Sequence, residues 1–195
     1  IMHLKFFIPL IWLYCFSLPL LADESNIDLR NSDWSLGQIH TLQGNWDFYW
    51  QQLISPAQFV ENKTKPASFP VPGAWNSPPK GVQSFPGFGY ATYKTKVLVP
   101  SNKADIILAI PDMASAYKLW SNGKVVAEKG VIGTSKEAET PAYLPKFASL
   151  SPDESELELV LQTSNFHYQW GGVWYPLKLT DAEGIFDTHL YQWCF

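Results

Sequence analysis

The chain has 195 residues, a formal net charge of −4, and is 46% hydrophobic and 15% aromatic. That composition supplies a full core and excludes a disordered body. With a single arginine, Arg30, the arginine clusters that read phosphate, nucleic acid or acidic peptides are absent, so no nucleic-acid partner is expected.

The N-terminus reads as a targeting segment. His3 and Lys5 precede an apolar run from Phe6 to Leu21, and Ala22 stands before the acidic Asp23 and Glu24. This is the layout of a secretory signal peptide, residues 1–22, cleaved after Ala22. The rival, an uncleaved anchor, would want about 20 apolar residues. A periplasmic or otherwise extracytoplasmic location follows. Tyr14 precedes Cys15 where a lipoprotein acceptor needs a small residue. With Cys15 removed only Cys194 remains, so neither a disulfide framework nor a cysteine metal site is expected.

Residues 23–41 are expected to form a loose polar leader followed by an entry strand beginning near Trp34. In Gly44 to Trp50, alternation places Trp46, Phe48 and Trp50 on one face and Asp47 and Tyr49 on the other. Ser55 and Pro56 predict one helical turn. Phe69 to Asn76, with Pro70 and Pro72, suits a sheet edge. Ser77 to Gly89 is a long loop. Tyr90 to Val99 is the cleanest strand, with Ala91, Tyr93, Thr95, Val97 and Val99 facing one way and Lys94 and Lys96 the other.

Asp105 to Ile110 reads as a buried strand ended by Pro111. Ala114 to Ala127 forms an apolar hairpin turning at Asn122 and Gly123, the residue pair that tolerates the positive φ of a type I′ turn. Glu128 to Tyr143 is a second long loop. Tyr143 to Leu150 and Leu157 to Gln162 are strands, and Ser164 to Gly172 is a loop dense in aromatic and amide side chains. Val173 to Leu179 closes the sheet. Eight or nine strands with regular turns describe an all-β, jelly-roll β-sandwich. Residues 42–180 form that domain, and 181–195 are an unpatterned tail.

Several landmarks together resemble the galactose-binding-like jelly roll, as in the N-terminal domain of family-two glycoside hydrolases. They are Trp46 to Tyr49, Val71 to Asn76, Gly89 to Tyr93, Leu119 to Gly123 and Leu157 to Asn165. The run Gly89 to Tyr93, with Pro111 to Trp120, Ser164 to His167 and Gly171 to Trp174, is more closely similar to another group. That group is the extracytoplasmic sensor domain of bacterial seven-transmembrane receptors with diverse intracellular signalling modules. The likeness covers roughly Leu42 to Thr180. It implies a periplasmic domain that senses a ligand, with carbohydrate the first class to consider, and passes a signal to a membrane part. Members of that group continue into seven membrane helices and an output module. This chain stops without them, so it is expected to be a fragment, a truncated gene product or a free-standing relative, and ligand binding is the firmer expectation.

For chemistry, the sequence holds no Gly-x-Ser-x-Gly elbow, zinc helix, phosphate loop or Cys-x-x-Cys, and His40, His167 and His189 lie too far apart to suggest a metal site. Asp47 and Asp112 would be the only glycosidase-like acid pair to consider. The chain is therefore expected to be a binding domain rather than an enzyme, with no cofactor. Sugar recognition needs a flat aromatic face and a few amide, carboxylate or imidazole groups. The candidates are Trp75, Asn76, Asp112, Asn165, His167, Gln169 and Trp170. Each has a structural alternative: Asn76 and Asn165 as ties of loop backbone, His167 as an internal hydrogen-bond partner, Asp112 as a turn cap. Trp46, Trp50, Trp120 and Trp174 are assigned to the core. Trp170, between Gln169 and Gly171, is the residue hardest to place in a core. A protein-interaction module, showing an apolar sheet face, and an accessory domain of a glycoside hydrolase are the alternatives.

Overall fold

The computed structural model describes residues 25–103, 105–151 and 155–185. The expected signal peptide and most of the expected tail lie outside them. Among the described residues no helix is long and apolar enough to cross a membrane.

The strands in chain order are β1 (Asn26–Asp28), β2 (His40–Leu42), β3 (Gly44–Trp50), β4 (Ala67–Val71), β5 (Gly73–Ala74), β6 (Gly89–Leu98) and β7 (Ile106–Ile110). There follow β8 (Ala116–Ser121), β9 (Lys124–Lys129), β10 (Lys146–Leu150), β11 (Glu156–Asn165), β12 (Gly172–Val173) and β13 (Leu177–Thr180). A larger sheet runs β4-β3-β6-β11-β8-β9, with β1 added beside β6; a smaller one runs β10-β7-β13-β2; β5 and β12 pair separately. The inner residues of both sheets join in one core. Ala91, Tyr93 and Val97 of β6, and Leu157, Leu159 and Leu161 of β11, share it with Ile106, Leu108 and Ile110 of β7 and Leu177 and Leu179 of β13. This is the expected all-β sandwich, and its alternation along β6 is the expected one.

The hairpin turns where its sequence demands. Asn122 and Gly123 have φ of 48° and 75°. Asn122 also stitches the turn to β11: its Nδ2 donates to the Glu156 carbonyl at 3.1 Å and its Oδ1 accepts from the Glu158 amide at 2.7 Å. Ser55 and Pro56 open a 3₁₀ turn, Pro56–Val60, closed by a capping box with Gln58.

The larger sheet's outer face is charged. Lys94 pairs with Glu158 at 2.9 Å, Lys96 with Glu156 at 3.1 Å and Lys118 with Glu128 at 3.3 Å.

Four expectations need adjusting. The leader is not loose throughout, because Asn26–Asp28 pairs parallel with β6 and Ser25 bonds to Lys94 and Thr95. The entry strand is only His40–Leu42. β11 extends three residues past Gln162, because its central place between β6 and β8 lets main-chain pairing carry polar Thr163, Ser164 and Asn165. The structured body also runs past residue 180: a one-turn helix, α1 (Ala182–Ile185), starts at Asp181, whose carboxylate accepts from the amides of Gly37, Glu183 and Gly184.

Candidate functional site

One end of the sandwich gathers most of the expected site. β11 ends at Asn165 opposite Gly89, where β6 begins, and its Ser164 faces Ala116, where β8 begins. The loops 75–88, 130–145 and 166–176 therefore meet there.

Trp75 is the foundation of this end rather than its surface. It is 0% exposed, meets Trp50 edge-on at 5.1 Å, and its indole N–H donates to the Gly87 carbonyl at 3.1 Å. With no face open, it is a core residue and not a ligand platform. Asn165 is equally buried. Its Nδ2 donates to the carbonyls of Gly87 (2.9 Å) and Tyr168 (2.8 Å), while its Oδ1 accepts from the Tyr168 amide at 3.0 Å. Asn76 donates from Nδ2 to the Gln169 carbonyl at 2.8 Å and accepts from the Gly171 amide at 3.2 Å. Both amides are spent on tying loop backbone, which is the structural alternative weighed for them.

Above these ties sits a cluster of rings. Tyr168 and Trp174 stack almost parallel, 10° apart with centroids at 5.2 Å. Trp170 stands across both, at 82° to Tyr168 and 72° to Trp174. Tyr175 lies 5.3 Å from Trp174. Trp170 is 44% and Tyr175 45% exposed. Trp174, assigned to the core from sequence, is half-buried and belongs to this cluster instead. Gln169 is exposed beside it.

His167 is held from below. Its Nδ1 lies 3.1 Å from Oε2 of Glu139, whose side chain has no exposed surface. Glu139 also accepts from the Phe166 amide at 2.5 Å and the Ser164 hydroxyl at 3.1 Å. Sequence reasoning missed Glu139 altogether. Nothing in the polar run Lys136 to Thr140 separates a buried carboxylate from a solvated one.

Asp112 lies in the turn between β7 and β8. Its Oδ1 accepts from the Ala114 amide at 2.8 Å, a turn cap. Burial, and after it the charge of Asp112, pushes the Tyr117 hydroxyl well above the usual tyrosine range. Among the described residues no three His, Cys, Asp or Glu side chains are grouped to hold a metal ion.

The two packed sheets define an all-β jelly-roll sandwich. No family model matches the chain, and no curated protein matches it. Solved structures do. It is similar to a GH2 β-galacturonidase from Eisenbergiella tayi bound to galacturonate, at 18% identity over 78% of this chain and 26% of that one, with a TM-score of 0.50. It is similar also to the β-glucuronidase of Ruminococcus gnavus, at 16% identity over 73% of this chain and 28% of that one, TM-score 0.54. The same enzyme in complex with D-glucuronic acid gives 15% identity and the same TM-score, 0.54. At such identities the likeness is one of fold. This chain spans little more than a quarter of the length of these enzymes.

Proposed function

We propose that this chain is an exported, non-catalytic carbohydrate-binding domain, serving as the ligand-sensing part of a membrane signalling receptor. The observation that carries the binding reading is the ring cluster at the loop end. Trp170, 44% exposed and set across the Tyr168–Trp174 stack, gives an aromatic surface against which the C–H face of a sugar ring can pack. Gln169 and His167 flank the rings with polar groups for the hydroxyls. The sandwich shared with two sugar-processing enzymes supports the same ligand class. The non-catalytic reading rests on how the carboxylates are engaged: Glu139 is buried under its donors and Asp112 caps a turn. The export and receptor parts rest on the sequence pattern of residues 1–22 and on the resemblance over Leu42 to Thr180.

The accessory-domain alternative is favoured by the similar enzymes themselves, and reading the gene beyond residue 195 separates it from the receptor. The interaction-module alternative would want an apolar sheet face, whereas the larger sheet presents paired charges. The test is tryptophan fluorescence of the purified chain titrated with sugars and cell-wall oligosaccharides. A saturable change lost in Trp170→Ala, with the circular dichroism spectrum unchanged, supports the reading. A folded domain that answers no member of the panel overturns it.

A further inference from the structure

We infer that the loop-end site takes one soluble glycan chain of several sugar units, laid across Phe88, Trp170 and Tyr175, and is not built for a single sugar. The inference rests on the carbohydrate-binding reading above and narrows its ligand class by size and physical state.

Phe88 is 58% exposed, more than Trp170 or Tyr175, yet its backbone is fixed on both sides. The Gly87 carbonyl accepts from the Trp75 indole N–H and from Nδ2 of Asn165. Gly89 is pressed against Trp50, where a Cβ would come within 2.4 Å of the indole. A Cβ on Gly87 would stand 3.1 Å from the Gln169 carbonyl oxygen, so Phe88 and Trp170 leave from adjacent stretches of backbone. Tyr175 follows closely on β12, whose Gly172 and Val173 pair with Ala74 and Gly73. Trp75 bonds to Gly87 on one side and to Gly171 on the other, which joins the three ring-bearing segments into one unit. Large rings held together in water on so firmly tied a backbone mark a contact surface.

Spacing and magnitude then favour a chain. The centroid of Trp174 lies 5.7 Å from that of Trp170 and 5.3 Å from that of Tyr175, so two exposed rings flank it. One sugar unit packs its C–H face on one ring, and a single contact of that kind is worth at most about tenfold in affinity. Alone it does not offset the translational and rotational freedom lost on association. A linked chain meets the next ring intramolecularly, so each further contact strengthens binding without a second association cost. The ring planes also decide the ligand's state. Trp170 stands at 72° to Trp174, and Tyr175 is tilted 38° from it. The flat face of a crystalline polysaccharide needs coplanar rings, whereas a free chain turns about its linkages to meet each plane.

The test is calorimetric titration of the whole chain with cello-, xylo-, manno- and galacto-oligosaccharides, each series running from monosaccharide to hexasaccharide. Wild type is compared with Trp170→Ala, Phe88→Ala and Tyr175→Ala, each shown to be folded by its circular dichroism spectrum. The inference is supported when affinity within one series climbs by at least about tenfold from monosaccharide to tetrasaccharide and then levels. F88A and Y175A should each weaken the hexasaccharide by about tenfold and the disaccharide less, while W170A weakens every length. A monosaccharide bound as tightly as its hexasaccharide overturns the inference and leaves the carbohydrate reading standing. So does hexasaccharide binding that F88A and Y175A both leave unchanged. Co-sedimentation with crystalline cellulose or chitin that soluble oligosaccharides fail to compete away overturns it too. A folded wild type that binds no length in any series overturns the carbohydrate reading as well.

Discussion

Gly171 lies so close to Trp75 that a Cβ at residue 171 would come within 2.1 Å of the indole Cε2. The Trp75 amide also donates to the Gly171 carbonyl at 2.9 Å. The two residues are far apart in the chain, yet the pair decides how near the aromatic loop can sit to the core. Gly171→Ala should therefore cost about 1–3 kcal/mol, the usual price of overpacking a filled core, read as a lower urea midpoint. Ala at the neighbouring exposed Gln169 should leave the midpoint unchanged.

Asn165→Ala strips three hydrogen bonds from a fully buried position. The carbonyl and the amide of Tyr168 then lose their partner where water enters poorly, while the Gly87 carbonyl keeps the Trp75 indole N–H. A loss of about 3 kcal/mol is expected, because an orphaned buried group costs about 1–3 kcal/mol. Chemical denaturation followed by circular dichroism measures it. Hydrogen exchange should show the loss of protection concentrated in 165–172.

At the opposite end of β11, Gly123→Ala forces a side chain onto φ of 75°. The expected cost is about 1 kcal/mol. Asn122→Ala should cost more, since it also frees the Glu156 carbonyl and the Glu158 amide. Comparing the urea midpoints of the two variants checks the order.

Burial raises three tyrosine hydroxyls. Tyr49 is pushed up to about 12, Tyr93 is raised far beyond the ordinary range by burial, and Tyr117 by burial and then by the charge of Asp112. Above pH 10 the unfolded chain has lost protons that the folded one keeps, so stability falls as pH rises through that range. An absorbance titration at 295 nm should show a late group of tyrosines ionising together with the loss of the circular dichroism signal. Tyr93→Phe should shrink that late step.

Where a strand is paced by alternation, the chain announces it: β6 is readable because inward residues recur at every second position, and the hairpin because Asn122–Gly123 tolerates the positive φ of its turn. β1 is hidden because three residues, two of them polar, carry no period and pair only through main chain with β6. The buried tail of β11 is hidden because Thr163, Ser164 and Asn165 look like loop residues, and only a strand on each side makes them interior. Of the site, Trp170 is legible as a tryptophan among glycines and amides. Trp75 is not, since its burial depends on a glycine 96 positions later. Glu139 is not, since its donors come from β8, β11 and the loop beyond.

The ties from Asn76, Asn165 and Glu139 to the late loop have a kinetic consequence. Each is made within the free protein, so the entropy lost in fixing Phe166 to Gly171 is surrendered when the chain folds and not when a ligand arrives. A loop face prepared in this way should meet a ligand as a nearly rigid template. Association should be a single step without a slow conformational phase, free and occupied forms should superimpose at the loop, and differences in affinity between sugars should lie in how fast they leave.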